Sequence, residues 1–162
     1  SAVFLRTTYA EYWEKKTAGE NVTRLLANQQ DKNDVVIKNW SDKGFYNENL
    51  WFDGGDGWFY YKKILPAGAE TEQVLQSVTF PEFTGEYAAY KGADYHLYFK
   101  AEVVQASLEE STLNASSVNA DATWSIFEMT AYVCPDNIQV IWSQTDPHEQ
   151  KRREAGNENE KV

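Results

Sequence analysis

Apolar and polar side chains alternate along several stretches of this chain, which is the pattern of β-strands with one buried face. The alternation is clearest over residues 93–106 and recurs near the start of the chain over residues 3–14. We therefore predict two long strands, and in the later one we expect one dry face and one mostly polar face. The predicted dry face carries Tyr95, Leu97, Phe99, Ala101 and Val103, and the predicted polar face carries His96, Tyr98, Lys100, Glu102 and Val104.

Two aromatic segments flank a glycine-rich stretch in the first half of the chain. Trp51 and Phe52 precede residues 53–57, Asp-Gly-Gly-Asp-Gly, and the four rings of residues 58–61 follow it. Glycine adopts the positive φ angles that tight reversals require, so this stretch predicts a β-hairpin. Alternation within residues 58–61 places large rings on both faces of the second strand.

Weaker patterns indicate further short elements. Residues 19–30 carry apolar side chains at helical spacing behind Asn21, a suitable N-cap, and predict a short helix. Residues 122–129 predict a helical turn. Short strands are predicted over residues 35–40, 72–80 and 138–142. The spacing of apolar residues slips at Leu75, which indicates a bulge or a bend.

The number and type of these elements define a fold class. Seven or eight strand-like segments are separated by Gly, Pro and Asn turns, without the alternation of strands and helices that is typical of parallel sheets. We predict a mainly β protein, an antiparallel jelly-roll-like β-sandwich with one or two short helices. Residues 1–145 form the domain, residues 107–120 form a polar loop or a loosely held helix, and residues 146–162 form a polar tail.

Composition narrows the choice of partners. The 162 residues suit one domain, and 15 basic against 25 acidic residues give a formal charge of −10, which repels a phosphate backbone. Nucleic acid is therefore not an expected partner. No stretch approaches the roughly 18 to 20 apolar residues that span a bilayer, so we expect no membrane span. Cys134 is the only cysteine, and we predict a small buried hydrophobe there rather than a nucleophile.

Motifs for catalysis or metal binding are missing from the sequence. It contains no HExxH, Gly-rich phosphate loop, GxSxG or CxxC. His96 and His148 are too few for a His-based catalytic zinc site. The turn at residues 53–57 offers carboxylates, but it lacks the ligand spacing of an EF-hand, which favours an ordinary turn. We predict no enzyme, no cofactor and no metal site, although 25 acidic residues leave a carboxylate pair for sugar hydrolysis open.

Exposed rings offer a second route to function. Trp51, Trp58, Tyr60 and Tyr98 are candidates for a platform on which saccharides stack. Aromatic residues at strand spacing are core residues in most cases, so the core interpretation is favoured. A carbohydrate-binding β-sandwich module on the cell surface is the alternative function.

The central segment resembles a known family. Residues 56–68, DGWFYYKKILPAG, with Glu-Thr-Glu at 70–72 and Ser-Val-Thr-Phe at 77–80, resemble the central signature of the TasA/BsaA-like family. These are SipW-dependent biofilm matrix proteins of Gram-positive bacteria. Residues 95–106 and 3–13 are similar to the strands after and before that signature.

The resemblance implies a secreted jelly-roll subunit, extracellular or at the cell surface, that polymerises with itself into fibres. Other matrix components are further candidate partners. An N-terminal strand of one subunit would complete the sheet of the next by β-augmentation. The residues implied in assembly are Val3, Phe4, Leu5 and Thr7, and the core of the motif is Trp58, Tyr60 and Tyr61.

The chain departs from the family pattern at both ends. It starts almost inside the family's early strand, so we expect either that the donor strand is missing or that residues 1–8 donate. It also continues from about residue 127 through Cys134 to residue 162, beyond the point where many relatives finish. This extension has no assigned role.

Overall fold

The computed structural model describes residues 1–41, 50–109 and 117–149. Across these residues the fold is mainly β, with antiparallel sheets, as predicted. Most of the predicted tail and the centre of the predicted polar connection lie outside the described residues. The strands are β1 Val3–Lys16, β2 Thr23–Leu26, β3 Gln29–Gln30, β4 Asn33–Asp34, β5 Ile37–Trp40, β6 Trp51–Asp53, β7 Phe59–Tyr61, β8 Leu75–Thr79, β9 Asp94–Gln105, β10 Thr130–Val133 and β11 Val140–Ser143. A 3-10 helix spans Gly85–Tyr90, and α1 spans Val118–Phe127.

Strand β1 lies at the centre of the main sheet. Strand β9 pairs with it antiparallel over almost its whole length, from Val3 opposite Gln105 to Glu14 opposite Asp94. On the other edge of β1, β7 pairs near the N-terminal end and β2 at the C-terminal end, and β6 pairs with β7. The two long strands predicted from alternation are therefore confirmed, and they are each other's partners.

One face of the main sheet packs against α1 and the β10–β11 hairpin. Phe4 of β1 and Tyr60 of β7 are fully buried on this face. Their rings lie 5.9 Å and 5.0 Å from the ring of Trp142 in β11, and Phe127 at the end of α1 also contacts Tyr60. Aromatic rings thus fill most of this core.

The opposite face is covered by a second layer that includes the β5–β8 pair and the 3-10 helix. Leu5 packs in one cluster with Trp51 and Phe59, and Trp13 packs in another with Val36 and residues of the 3-10 helix. With both faces of the main sheet covered, the architecture is sandwich-like.

The predicted β6–β7 hairpin is confirmed. Its turn is closed by the Gly54 amide, which donates to the Trp58 carbonyl at 3.0 Å. Gly55 and Gly57 have φ angles of 70° and 88°, the left-handed conformation for which glycine was expected here. Alternation then places Tyr60 on one face and Tyr61 on the other.

The predicted helix over residues 19–30 is wrong. Residues Thr23–Leu26 form β2, which pairs with the end of β1, and Asn21 caps no helix. The apolar side chains that suggested a helical face do not make a buried one, since Val22 and Leu25 are both exposed. Pairing with a long neighbouring strand outweighs such a short helical pattern, because a helix of this length gains little stability without a buried face.

The second predicted helix exists but begins earlier than expected. The Ser117 hydroxyl accepts a hydrogen bond from the Ala120 amide at 3.0 Å and starts α1, so residues 118–120 belong to the helix rather than to the polar connection. The predicted slip near Leu75 is also present. Asn39 pairs with Ser77 but Trp40 pairs with Leu75, so the register shifts within β8.

The predicted distribution of burial is wrong for the second half of β9, whereas Tyr95 and Leu97 of the predicted dry face are half-buried. Phe99, Ala101 and Val103 of the predicted dry face are exposed, whereas Val104 of the predicted polar face is buried against Phe4 and its neighbours. Phe99, Ala101 and Val103 lie on the same sheet face as Leu5, where the second layer packs on β1 and β7 without burying these three side chains. Alternation correctly predicts that successive side chains of β9 lie on opposite faces of the sheet. Which of these faces is buried depends on elements that are distant in the sequence.

Candidate functional site

The four residues implied in assembly lie in their own subunit's sheet. Phe4, Leu5 and Thr7 are buried in β1 and Val3 is half-buried. Val3 exchanges two backbone hydrogen bonds with Leu65, each 2.9 Å, on the edge of β1 opposite β9. The Thr7 hydroxyl donates to the Lys100 carbonyl of β9 at 3.0 Å. All four residues are therefore structural parts of the central strand.

The motif residues form core rather than an exposed platform. Tyr60 and Tyr61 are buried and Trp58 is half-buried. The Tyr60 hydroxyl donates to the Asp56 carboxylate, and the Tyr61 hydroxyl donates to Glu72 at 2.7 Å. Burial, reinforced by the Asp56 hydrogen bond, raises the pKa of Tyr60 to about 12. Each hydroxyl thus ties a buried ring to a polar group.

Arg6 joins these parts of the structure. Its guanidinium carbon lies 4.0 Å from the centre of the Trp58 ring and 4.4 Å from that of Phe127. The same group donates to the Phe127 carbonyl at 3.2 Å and to the Glu102 carboxylate of β9 at 2.9 Å. Hydrogen bonds from Arg6 and then from Lys100 lower the pKa of Glu102. Nothing in the sequence singled out Arg6, because Trp58, Glu102 and Phe127 come from three separate parts of the chain.

The outer edge of β9 is the largest open strand edge that the described residues define. Strand β9 has 12 residues, and within the described ranges its only strand partner is β1. The Ala106 amide donates to Ala2 of β1, and the Lys100 carbonyl accepts from Thr7, so even-numbered residues direct their backbone groups towards β1. Because the direction alternates along a strand, the odd-numbered residues direct theirs outward.

Exposed apolar side chains accompany this edge. Val103 is 55% exposed, Tyr98 54% and Phe99 43%. The Phe99 ring also packs against Tyr9 and Trp40, with centroid distances of 6.1 Å and 6.2 Å. On the other face of the strand, Lys100 and Glu102 carry opposite charges 3.1 Å apart. Long edge strands with apolar side chains are sites at which another strand adds to a sheet.

A cluster of three near-parallel rings lies on the sheet face near Glu14. His96 stacks on Tyr12 at 4.8 Å and 15°, and Tyr98 lies 6.1 Å from both rings. The His96 imidazole also lies 3.3 Å from the Glu14 carboxylate. A hydrogen bond with Tyr98 raises the pKa of Tyr12. Of the four rings considered for a saccharide platform, Trp51 and Tyr60 are buried, and Tyr98 is the exposed member.

The carboxylates of the glycine turn are engaged within the turn. Asp53 accepts a hydrogen bond from the Gly55 amide, and Asp56 accepts one from the Trp58 amide, each at 2.9 Å. Within residues 1–41, 50–109 and 117–149, no group of three His, Cys, Asp or Glu side chains is arranged to hold a metal ion. The helices in these ranges are too short or too polar to cross a bilayer.

Cys134 and His148 both make contacts within the fold. Cys134 is half-buried, and its amide donates to the Gln139 carbonyl across the β10–β11 turn at 2.9 Å. The His148 imidazole lies 2.7 Å from the Asp121 carboxylate of α1. His148 thus holds the start of the predicted tail against the helix.

No family model, curated protein or solved structure matches the chain.

Proposed function

We propose that this protein is a structural subunit that assembles with copies of itself into extracellular fibres, and that its sandwich is jelly-roll-like. The resemblance of residues 56–80 to the matrix-protein signature suggests the class, a secreted and non-catalytic fibre protein, with other matrix components as further partners. The observation that supports the proposal is the outer edge of β9, which has no strand partner within the described residues and along which Leu97, Ala101 and Val103 direct backbone groups outward, where another strand can add.

Two routes to assembly differ in the strand that moves. Strand exchange through Val3, Phe4, Leu5 and Thr7 requires β1 to leave its own sheet. Removing residues 1–8 would break the pairing of β1 with β7 and with the second half of β9, and it would expose the buried ring of Phe4. Addition at the edge of β9 breaks no strand pair among the residues that the structure describes. We therefore favour edge addition, and strand exchange by residues 1–8 stays a prediction.

A concentration series tests the proposal. We expect oligomers to grow with concentration in size-exclusion chromatography with light scattering, and fibres to appear in electron micrographs. The matched control is Ala101→Pro, which removes an outward N–H from the open edge but none from the β1 pairing. A wild-type chain that stays monomeric at every concentration would refute self-assembly.

A second candidate function is binding of a saccharide at the cell surface, supported by the stacked rings of Tyr12, His96 and Tyr98, of which Tyr98 is exposed. Aromatic rings present apolar faces on which sugars pack. Calorimetric titration with a panel of glycans tests this candidate, with Tyr98→Ala as the matched variant. Absence of heat with every glycan, or equal binding by wild type and variant, would remove this site.

A further inference from the structure

Three polar side chains meet where the second layer packs on β1. Glu11 comes from β1, Asn28 from the segment between β2 and β3, and Lys38 from β5. Asn28 is 4% exposed, and the side chains of Lys38 and Glu11 are 4% and 17% exposed. Trp13 and Val36, which both contact Asn28, are buried as well. An amine, a carboxamide and a carboxylate are thus held together away from bulk solvent.

One oxygen of the Glu11 carboxylate contacts both nitrogen atoms of this group. Oε2 accepts a hydrogen bond from Lys38 Nζ at 2.8 Å and another from Asn28 Nδ2 at 3.1 Å. The second oxygen, Oε1, also accepts from Lys38 Nζ at 2.8 Å. The Tyr95 hydroxyl donates to the same carboxylate and helps to fix its orientation. The carboxylate therefore holds the Lys38 amine beside the Asn28 amide and is in position to move a proton from one nitrogen to the other.

The carbonyl side of the Asn28 amide is polarised by two donors. Its Oδ1 accepts a hydrogen bond from the Trp13 indole N–H at 3.0 Å and another from the Val36 backbone N–H at 2.9 Å. Fixed N–H groups on a carbonyl oxygen stabilise the negative charge that develops there when a nucleophile adds to the carbon. Because this site is buried, these hydrogen bonds are stronger than they would be in water. The Asn28 amide is therefore prepared for attack by an amine.

We propose that Lys38 and Asn28 become joined by an intramolecular amide bond, with Glu11 carrying the protons. The bond between Lys38 Nζ and Asn28 Cγ forms, and the bond between Asn28 Cγ and Nδ2 breaks. Two of the three protons of the Lys38 ammonium pass through the Glu11 carboxylate to Nδ2, which leaves as an ammonium ion. The third proton stays on the new amide nitrogen. Atoms and charge balance, and Glu11 returns to its carboxylate form.

Lys38 is an ammonium ion before this reaction. Burial lowers the pKa of Lys38, but the hydrogen bonds and charges of Glu11 and Asp34 outweigh burial and hold the pKa above its ordinary value. An ammonium ion cannot attack a carbonyl carbon, so proton transfer to Glu11 has to come first. Contact between the three groups makes the attack an intramolecular step, which raises the effective concentration of the amine greatly. We therefore expect the bond to form only in the folded chain, where these contacts exist.

Intact mass spectrometry tests for the bond directly. Wild type should be lighter than its sequence mass by one ammonia molecule, and the difference should persist after denaturation. Two variants should have their full sequence masses: Glu11→Gln cannot take up the proton, and Lys38→Arg keeps the charge but lacks a nucleophilic amine. Lys63→Arg is the matched control, because Lys63 also pairs with a glutamate, Glu72, but is more exposed, and this variant should still lose ammonia. Circular dichroism checks that each variant folds.

Digestion with trypsin locates the bond. Trypsin cleaves after a lysine only when the side-chain amine is free. The linked chain should therefore give residues 25–32 covalently joined to residues 33–43, with no cleavage after Lys38. An unlinked chain should be cleaved after Lys38 and should give residues 25–32 as a separate peptide.

Several results would overturn the proposal. A folded wild-type chain with its full sequence mass would do so, and so would a loss of ammonia that persists in Lys38→Arg. Loss of water instead of ammonia would place the bond between Lys38 and Asp34, whose carboxylate lies 3.3 Å from Nζ, and would overturn the assignment to Asn28. A folded Glu11→Gln that still loses ammonia would overturn the role of Glu11. Single subunits and fibres give the same subunit mass after denaturation, so this test is independent of the proposed self-assembly.

Discussion

Replacing Asn28 by Ala is expected to destabilise the fold strongly. Asn28 is buried beneath β1, and its carboxamide makes four hydrogen bonds. It accepts from the Trp13 indole N–H at 3.0 Å and from the Val36 amide at 2.9 Å. It donates to the Val36 carbonyl at 3.0 Å and to the Glu11 carboxylate at 3.1 Å. The side chain thus fastens the loop after β2 to the centre of the main sheet.

The magnitude follows from the donors that the substitution leaves behind. Asn28→Ala deprives two buried N–H groups, those of Trp13 and Val36, of their acceptor. An unsatisfied buried polar group costs about 1–3 kcal/mol, so we expect the free energy of unfolding to fall by about 2–6 kcal/mol. Domains of this size are stable by about 5–15 kcal/mol, so the loss is a large fraction of the total.

Urea denaturation followed by far-ultraviolet circular dichroism measures this loss. Asn21→Ala is the matched control, because Asn21 is exposed and its removal should change stability by less than about 0.5 kcal/mol. Trp13→Phe removes one of the two donors, so Asn28→Ala should cost less in that background than in wild type. An Asn28→Ala midpoint as close to wild type as that of Asn21→Ala would refute the reasoning.

Three further predictions concern the hairpin and Arg6. Gly54→Ala places a methyl carbon 2.5 Å from a ring atom of Tyr60. It should therefore lower the free energy of unfolding by about 1–3 kcal/mol in the same denaturation assay. An unchanged free energy of unfolding would contradict this packing. Burial, and then the hydrogen bond to Asp56, raise the pKa of Tyr60 to about 12. The protonated hydroxyl therefore stabilises the folded state fully below the ordinary tyrosine pKa of about 10, and this stabilisation is lost as pH rises towards 12. Tyr60→Phe should therefore flatten the alkaline arm of a plot of stability against pH, and an unchanged arm would exclude this ionisation. Arg6→Lys should lower the melting temperature of the protein nearly as much as Arg6→Ala, because an ammonium group cannot both stack between two rings and reach Glu102. A Lys variant as stable as wild type would show that only the positive charge is needed.

Local sequence patterns were sufficient to predict the elements whose structure depends on residues close together in the chain. Period-two alternation located β1 and β9 to within about two residues, and the glycines between Phe52 and Trp58 located the β6–β7 hairpin. Both signals depend on residues that are near each other in the chain. Only part of the candidate assembly surface could be predicted from the sequence. Alternation located β9, but it did not show that β9 lies at an edge of the main sheet.

The wrong predictions concern segments whose structure depends on contacts with residues distant in the sequence. Residues 23–26 form a strand because β1 extends past β7 and offers them a partner, which short-range apolar spacing does not reveal. The environment of Arg6 likewise draws Trp58, Glu102 and Phe127 from separate elements.

Composition and periodicity alone establish an antiparallel, aromatic-rich β fold with a tight central hairpin, since the direction of side chains alternates with every residue of a strand wherever the strand lies. Burial is different, because it depends on what covers each face. Only the tertiary structure shows that β1 is enclosed on both edges, that Val103 is exposed, and that β9 has no strand partner other than β1 within the described residues. Within the described residues the covering layers bury Phe4 and Leu5 of β1 but leave Ala101 and Val103 of β9 exposed, and the candidate assembly surface is therefore placed along β9.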